Sequence, residues 1–239
     1  HAQLSEAELS GLRASIASCE KVMVLAGQMK EDPQMLEALR QFAAHPNVIV
    51  LTEAHSNLAD AGFITTIDRM LAATDADAQT YMEPQLLITV GHNIISRKIK
   101  ALLRKGHTEH WHVDISGEGL DTLKILTKVI PTTPGAFFES MLKAAPSVDS
   151  SYRSRLLEYN NTSSTAAESF HQQAAWSDLQ AFHILHALLP PASDVQMGNS
   201  SAVRYMLLDD ARADLRYFGN RGVAGIGGCT SPALGAAYC

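Results

Sequence analysis

The chain has 239 residues, 46% of them hydrophobic and 18% charged, with a formal net charge of −6. That length supports one large or two small packed domains. The acidic balance excludes a general nucleic-acid binder, whose surface is normally basic, and no apolar run approaches the roughly 18–20 residues of a membrane span.

The first residues are amphipathic and acidic, not the basic-then-apolar pattern of a signal peptide. Cys19, Cys229 and Cys239 have neither metal spacing nor the look of a disulfide framework, so a cytoplasmic location is expected. Leu9, Leu12, Ile16 and Cys19 recur at helical spacing and predict an amphipathic helix over residues 5–19. Lys21 to Ala26 reads as a short apolar strand ending in Gly27-Gln28. Asp32-Pro33 then opens a helix with a capping side chain and Pro at the first position, burying Leu36, Leu39 and Phe42. Val48 to Leu51 is a second strand, closing on Thr52-Glu53, and a helix is expected within Phe63 to Leu71. Leu86 to Val90 is a third strand, followed by Gly91-His92-Asn93 and a basic helix from Ser96 to Lys105. Glu109 to Ile115 and Lys124 to Ile130 supply strands four and five.

Short apolar strands alternating with helices predict an α/β fold, a Rossmann-like open parallel sheet with helices on both faces. Ligands of such sheets sit beyond the C-terminal strand ends. No GxGxxG follows the first strand, so a conventional dinucleotide site is not expected. In His107-Thr108-Glu109-His110-Trp111-His112-Val113-Asp114, strand alternation places His110, His112 and Asp114 on one face. Two imidazoles and a carboxylate can hold a metal, but no fourth ligand is spaced to join them, and a hydrogen-bonded strand end is the simpler reading.

From Thr132 the composition changes. Phe137 to Ala145 reads as helix, and Pro146 to Ser151 and Asn160 to Thr165 as polar loop. Ala166 to Leu189 is a long helical stretch with Trp176, Leu179, Phe182, Leu185 and Leu188 on one face and a break at Trp176-Ser177-Asp178. The expected organisation is a first α/β domain over 1–150, a linker and helix over 151–193, and the truncated start of a second α/β domain over 194–239. That last stretch holds two blocks of one design, Gly198-Asn199-Ser200-Ser201-Ala202-Val203-Arg204 and Gly219-Asn220-Arg221-Gly222-Val223-Ala224-Gly225-Ile226-Gly227-Gly228. Each follows an apolar lead-in, turns through small residues and Asn, and offers an Arg. A helix start directly after a strand presents free N–H groups, Arg grips carboxylate or phosphate at two points, and the glycines allow close backbone approach.

The two blocks, with their order and spacing, resemble the start of the diphosphate-binding domain of the 2-succinyl-5-enolpyruvyl-6-hydroxy-3-cyclohexene-1-carboxylate synthases, thiamine-diphosphate enzymes of menaquinone biosynthesis. Val24-Leu25-Ala26-Gly27-Gln28, Val50-Leu51-Thr52-Glu53 and Leu87-Ile88-Thr89-Val90-Gly91 with Ser96-Arg97-Lys98 are compatible with the same family. The resemblance implies the central domain of these enzymes as a scaffold, with thiamine diphosphate and Mg2+ as cofactors. It also implies a transferase reaction in which decarboxylated 2-oxoglutarate adds to isochorismate, and a homodimer or homotetramer at full length. It places Arg97 and Lys98, in reversed order from the usual Lys-Arg, with Arg204 and Arg221 as substrate carboxylate grips. Asn199 and Ser200 would line the reacting centre, and Gly222, Gly225 and Ile226 the cofactor, Ile226 as the wedge between its rings.

Gly227 stands where the family has Asp, and Pro232 where Thr is common. The activating Glu and the metal ligands fall outside the chain, so no catalytic or metal-ligating residue is assigned within it. A fragment inactive by itself is expected, with 194–239 exposing apolar surface. Two alternatives remain: an acetolactate-synthase type of thiamine-diphosphate enzyme, which leaves the paired blocks unexplained, and a non-catalytic Rossmann-like binding module, which would not use Arg204 and Arg221.

Overall fold

A computed structural model describes residues 4–119, 121–142 and 149–238. Strands β1 (Val22–Ala26), β2 (Val48–Thr52) and β3 (Leu86–Val90) are buried at every position, as strands covered on both faces must be. With β4 (Glu109–Val113) and β5 (Leu126–Ile130) they form a sheet in the order β2-β1-β3-β4-β5, every pairing parallel.

Alternate residues of β1 feed two separate cores. Val22, Val24 and Ala26 pack with Leu12 and Ile16 of α1 (Glu6–Ser18), Leu39 and Phe42 of α2 (Pro33–Phe42), and Phe137 and Phe138 of α6 (Pro134–Met141). Met23 and Leu25 face the other way. They meet α3 (Ile67–Ala72), α4 (Ala76–Met82), α5 (Arg97–Leu103) and the first turns of α7 (Tyr152–Gln173) through Ile67, Met70, Met82, Ile99, Leu103, Tyr152 and Leu156. The expected α/β sheet with helices on both faces is what the chain forms. The capping chemistry read from Asp32-Pro33 also holds, since the Asp32 carboxylate accepts from Met35 N at 2.9 Å, although Leu36 is only partly buried and Met35 takes the inward position.

Three expectations need correction. Asn160–Thr165 is not loop but the middle of α7. Its buried face runs Tyr152, Leu156, Asn160, Ser163, and the polar members are satisfied there: Thr66 Oγ1 donates to Asn160 Oδ1 at 3.0 Å and Ser163 Oγ to Asn160 O at 2.7 Å. A helix that buries Asn and Ser lacks the apolar periodicity that announces one. Next, α8 (Asp178–Leu188) starts at the expected break, with Ser177 as its cap, but it does not bury the stripe assigned to it. Trp176, Leu185 and Leu188 are 77%, 60% and 72% exposed, and the buried position is His186, bonded to the Tyr217 hydroxyl at 2.8 Å. Finally, α6 begins three residues early, because Thr133 caps it and Pro134 opens it; its expected end at Ala145 and the expected loop from Pro146 fall on or next to residues 143–148, outside those described.

Beyond α8, β6 (Asp194–Met197), α9 (Ser201–Met206) and β7 (Arg216–Gly219) form a small parallel unit. Met197, Val203, Met206, Leu215 and Tyr217 form a third core with Ala54 and Ile95 from loops of the larger sheet. Among the described residues of the last stretch, the large apolar side chains left exposed are Val223, Ile226, Leu234 and Tyr238, and α10 (Thr230–Tyr238) buries none of its residues.

Candidate functional site

Because β1 lies between β2 and β3, the chain leaves β1 in one direction and returns on its other side, so the crevice lies above the ends of β1 and β3. Here that crevice is zipped shut by its own loops. Gly27 N donates to Val90 O at 2.9 Å, His92 N to Gln28 O at 2.9 Å and Gln28 N to Asn93 O at 3.2 Å. A Cβ on Gly27 would stand 2.2 Å from the His92 carbonyl oxygen, so only glycine fits.

The end of β7 docks on top of this seam. Gln28 Nε2 donates to Gly219 O at 2.7 Å and Asn93 Nδ2 to Arg221 O at 2.8 Å. Asn57, left-handed at φ 53° after the short 3-10 turn Ala54–Ser56, donates to Met29 O and Tyr217 O and accepts from Tyr217 N at 2.7 Å. Gln28 and Asn93 were visible in the sequence as strand-end residues; their role in holding the second block was not.

Docking brings the two Gly-Asn blocks together. Asn199, 8% exposed, donates through Nδ2 to Asn220 O at 2.8 Å and Gly225 O at 2.9 Å, while its Oδ1 accepts from Arg221 NH1 at 2.6 Å. The Arg221 Nε is buried and has no hydrogen-bond partner among the described residues, a donor left unsatisfied by the chain. Ser200, between β6 and α9, is held at φ 68°, ψ −124° with its side chain exposed. A non-glycine residue rarely adopts this conformation, and its cost of about 1–3 kcal/mol is characteristic of functional turns. Arg204 is exposed on α9 and makes no ion pair among the described residues. Beyond Arg221 the loop stands open: a Cβ on Gly222, Gly225 or Gly227 would meet nothing within 4 Å, and Ile226 is 76% exposed.

The basic helix start enters from the larger sheet. Both oxygens of Glu53, at the end of β2, accept backbone N–H groups at the α5 start, Ile95 N at 2.7 Å and Ser96 N at 2.6 Å. Ser96 caps Ile99 N and hydrogen-bonds Asp68. Burial raises the Glu53 carboxyl to about 7, against the pull of those N–H groups and Lys100. Glu53 is thus an anchor for α5. Arg97 and Lys98 are both exposed in its first turn but diverge, since Lys98 lines a depression with Leu71, Gln79 and Glu83 on the α3–α4 side. Lys100, a member of the same basic helix, lies in the field of Glu53, Arg221 and Arg97, and burial is the chief cause that lowers its pKa. Arg97, Lys100 and Arg221 therefore share one electropositive region above the seam, suited to carboxylates or phosphate.

The histidine strand follows the simpler reading. His110 Nε2 and His112 Nδ1 both hydrogen-bond Thr89 Oγ1, at 2.8 and 2.9 Å, and Asp114 is engaged by Ser116. Among the described residues they do not bring three donors within metal-binding reach. They line a cavity of about 550 Å³, and burial lowers His110 to about 4, which keeps it neutral.

Residues 14–195 match the family described as the middle domain of thiamine pyrophosphate enzymes. The chain is similar to 2-succinyl-5-enolpyruvyl-6-hydroxy-3-cyclohexene-1-carboxylate synthases of Flavobacterium psychrophilum (36% identical over 91% of this chain) and Flavobacterium johnsoniae (35% over 92%). The synthase of Porphyromonas gingivalis is 32% identical over 90% of the chain. In each case the chain spans about 40% of the relative's length.

Proposed function

We propose, starting from the fact that this chain belongs to the thiamine pyrophosphate middle-domain family, that it serves in a menaquinone-pathway synthase. That enzyme joins decarboxylated 2-oxoglutarate to isochorismate. The observation that carries the reading is the Arg221–Asn199 contact, which makes one anion-receptive site of two blocks otherwise separated in sequence. The five-stranded unit is the scaffold, roughly 1–150 with a helical linker over 151–193, and 194–239 opens the diphosphate-binding domain.

When bound, thiamine diphosphate supplies the electron sink that an α-keto acid needs to lose carbon dioxide. The chain's own residues bind and orient. Both substrates carry two carboxylates, and Arg204 and Arg221 grip them, with Arg97 as a further cation and Lys98 facing the α3–α4 side instead. Asn199 fixes the Arg221 fork, and Ser200 presents its hydroxyl from the strained turn toward the reacting centre. Gly222 and Gly225 let the backbone approach the cofactor, and Ile226 supplies an apolar surface for it. The open glycine loop and the unpartnered Arg221 Nε fit an anionic cofactor or substrate. Mg2+ fits less well: residues 215–229 hold no carboxylate, and this cation wants oxygen ligands. Its ligands therefore lie outside these residues, and at full length the synthase is read as a homodimer or homotetramer.

The test uses the longest natural polypeptide carrying this chain, with thiamine diphosphate, Mg2+, 2-oxoglutarate and isochorismate. Isochorismate should disappear in a 2-oxoglutarate-dependent manner, and Arg221→Ala should lower kcat/KM about a hundredfold or more, as loss of a buried charged grip does. Turnover of pyruvate in place of 2-oxoglutarate would assign an acetolactate-type enzyme, and turnover of neither would leave a binding module.

A further inference from the structure

Away from the seam, three segments distant in sequence converge. His171 near the end of α7, His183 in α8 and Asp209 just beyond α9 place one donor atom each within 4.8 Å of one another. The two imidazoles stack, with centroids 3.7 Å apart and planes 7° from parallel. Each is already oriented by a polar neighbour. His183 Nδ1 bonds Asp209 Oδ1 at 2.7 Å, and His171 Nδ1 meets Gln180 Oε1 at 2.8 Å while Gln180 Nε2 donates to His171 O at 3.1 Å. The Asp209 side chain is only 12% exposed and His183 is its one ion-pair partner among the described residues, whereas its neighbour Asp210 is taken up by Arg69. The cluster thus pairs two oriented imidazoles with one shielded carboxylate.

We propose that His171, His183 and Asp209 bind one divalent first-row transition cation of the zinc or nickel class, tying the α7–α8 turn to the end of α9. Imidazole with carboxylate is a donor set that such ions accept, and Mg2+ and Ca2+, which favour oxygen throughout, do not. Zinc bonds of about 2.1 Å put tetrahedral donors about 3.4 Å apart, so separations that now reach up to 4.8 Å must close by at most about 1.4 Å, with the imidazoles tilting out of their stack. The Gln180 contact fixes the His171 ring as metal-bound imidazoles are commonly fixed. A water completes the shell. One turn further along α8, His186 bonds Tyr217 of β7, so the ion reinforces the packing of α8 against the small unit. No reading of the sequence singled out these residues, and the inference is independent of the synthase assignment.

The test is titration of tag-free, chelator-stripped protein with Zn2+ in excess Mg2+, followed by calorimetry and thermal melting. One equivalent should bind per chain, raise Tm and be indifferent to Mg2+. The Co2+ form should show the intense visible absorption of a four-coordinate site with nitrogen ligands. His171→Ala, His183→Ala and Asp209→Asn should each weaken Zn2+ binding by at least about tenfold, and His45→Ala should not. No stoichiometric binding, a pale six-coordinate Co2+ spectrum, or binding that survives all three substitutions and so resides elsewhere among the ten histidines would overturn the proposal. The Co2+ spectrum of the unaltered protein decides the matter if a variant does not fold.

Discussion

Ser200 is a residue whose backbone works against its own side chain. At φ 68°, ψ −124° the Cβ crowds the neighbouring peptide, and glycine would adopt the same turn without that cost. Ser200→Gly should therefore raise unfolding free energy by about 1 kcal/mol, the relieved strain less the greater chain entropy of glycine, while lowering turnover in the protein that carries the chain. Denaturant unfolding beside an activity assay checks this, and a variant both less stable and fully active would show that the turn is merely structural. Arg221 and Asn199 make a complementary case: their side chains are bonded to each other at 2.6 Å, so the guanidinium is already oriented before any ligand arrives and loses less freedom on binding. The sequence revealed both blocks because Gly, Asn and Arg in a turn have few other uses. It could not reveal that Asn199 serves Arg221 first, because that depends on how β6 and β7 pair.

At the scale of elements, the junction of β2 with α5 is held by one buried carboxylate. Glu53 accepts two backbone N–H groups yet is raised to about 7 from an ordinary 4.5, burial being the largest cause. A folded-state value above the unfolded one means that the folded chain holds the extra proton. The stabilisation is fully present below about pH 4.5 and is lost as pH rises through about 7. Glu53→Gln carries no charge at any pH, so relative to the parent it should gain about 3 kcal/mol between about pH 5 and pH 8. Urea unfolding at both ends of that range tests it, and a constant difference between the two proteins would mean that Glu53 titrates at its ordinary value. The elements themselves were legible to unequal degrees. Strands β1, β2 and β3 are uninterrupted apolar runs because both of their faces are covered. Helix α4 went unseen because only Met82 of its residues is buried. Helix α7 was misread at Asn160 because its inner face is partly polar and satisfied by Thr66. The His171, His183 and Asp209 cluster has no sequence signal at all, since the members lie on three elements at no recurring interval.

At the scale of the molecule, the question is what makes a five-stranded sheet and a two-stranded one behave as a single scaffold for the site. On the larger sheet's side Asn57 joins Gln28 and Asn93 in holding β7. Its side chain bridges Met29 O and both polar backbone groups of Tyr217, from a left-handed conformation that Asn tolerates better than most residues. Asn57→Gly keeps the backbone turn and deletes the three bonds, whereas Asn57→Ala deletes them and adds the cost of positive φ, about 1 kcal/mol more. In both variants the Tyr217 amide, which donates to Asn57 Oδ1, should exchange faster, and residues 216–219 with it. The amides of β1 and β3, which lie within the larger core, should keep their protection. Asn57→Ala should lower the stability of the larger unit more than Asn57→Gly does, because both lose the bond to Met29 O but only Ala strains the turn that closes β2. Hydrogen exchange resolved by residue separates these outcomes. If Tyr217 keeps its protection in Asn57→Gly, the third core around Met197, Leu215 and Tyr217 holds the units together without the Asn57 bonds. If protection is lost, Arg221 loses its fixed position above the seam as well, and weaker substrate binding should accompany it as a raised KM with little change in kcat.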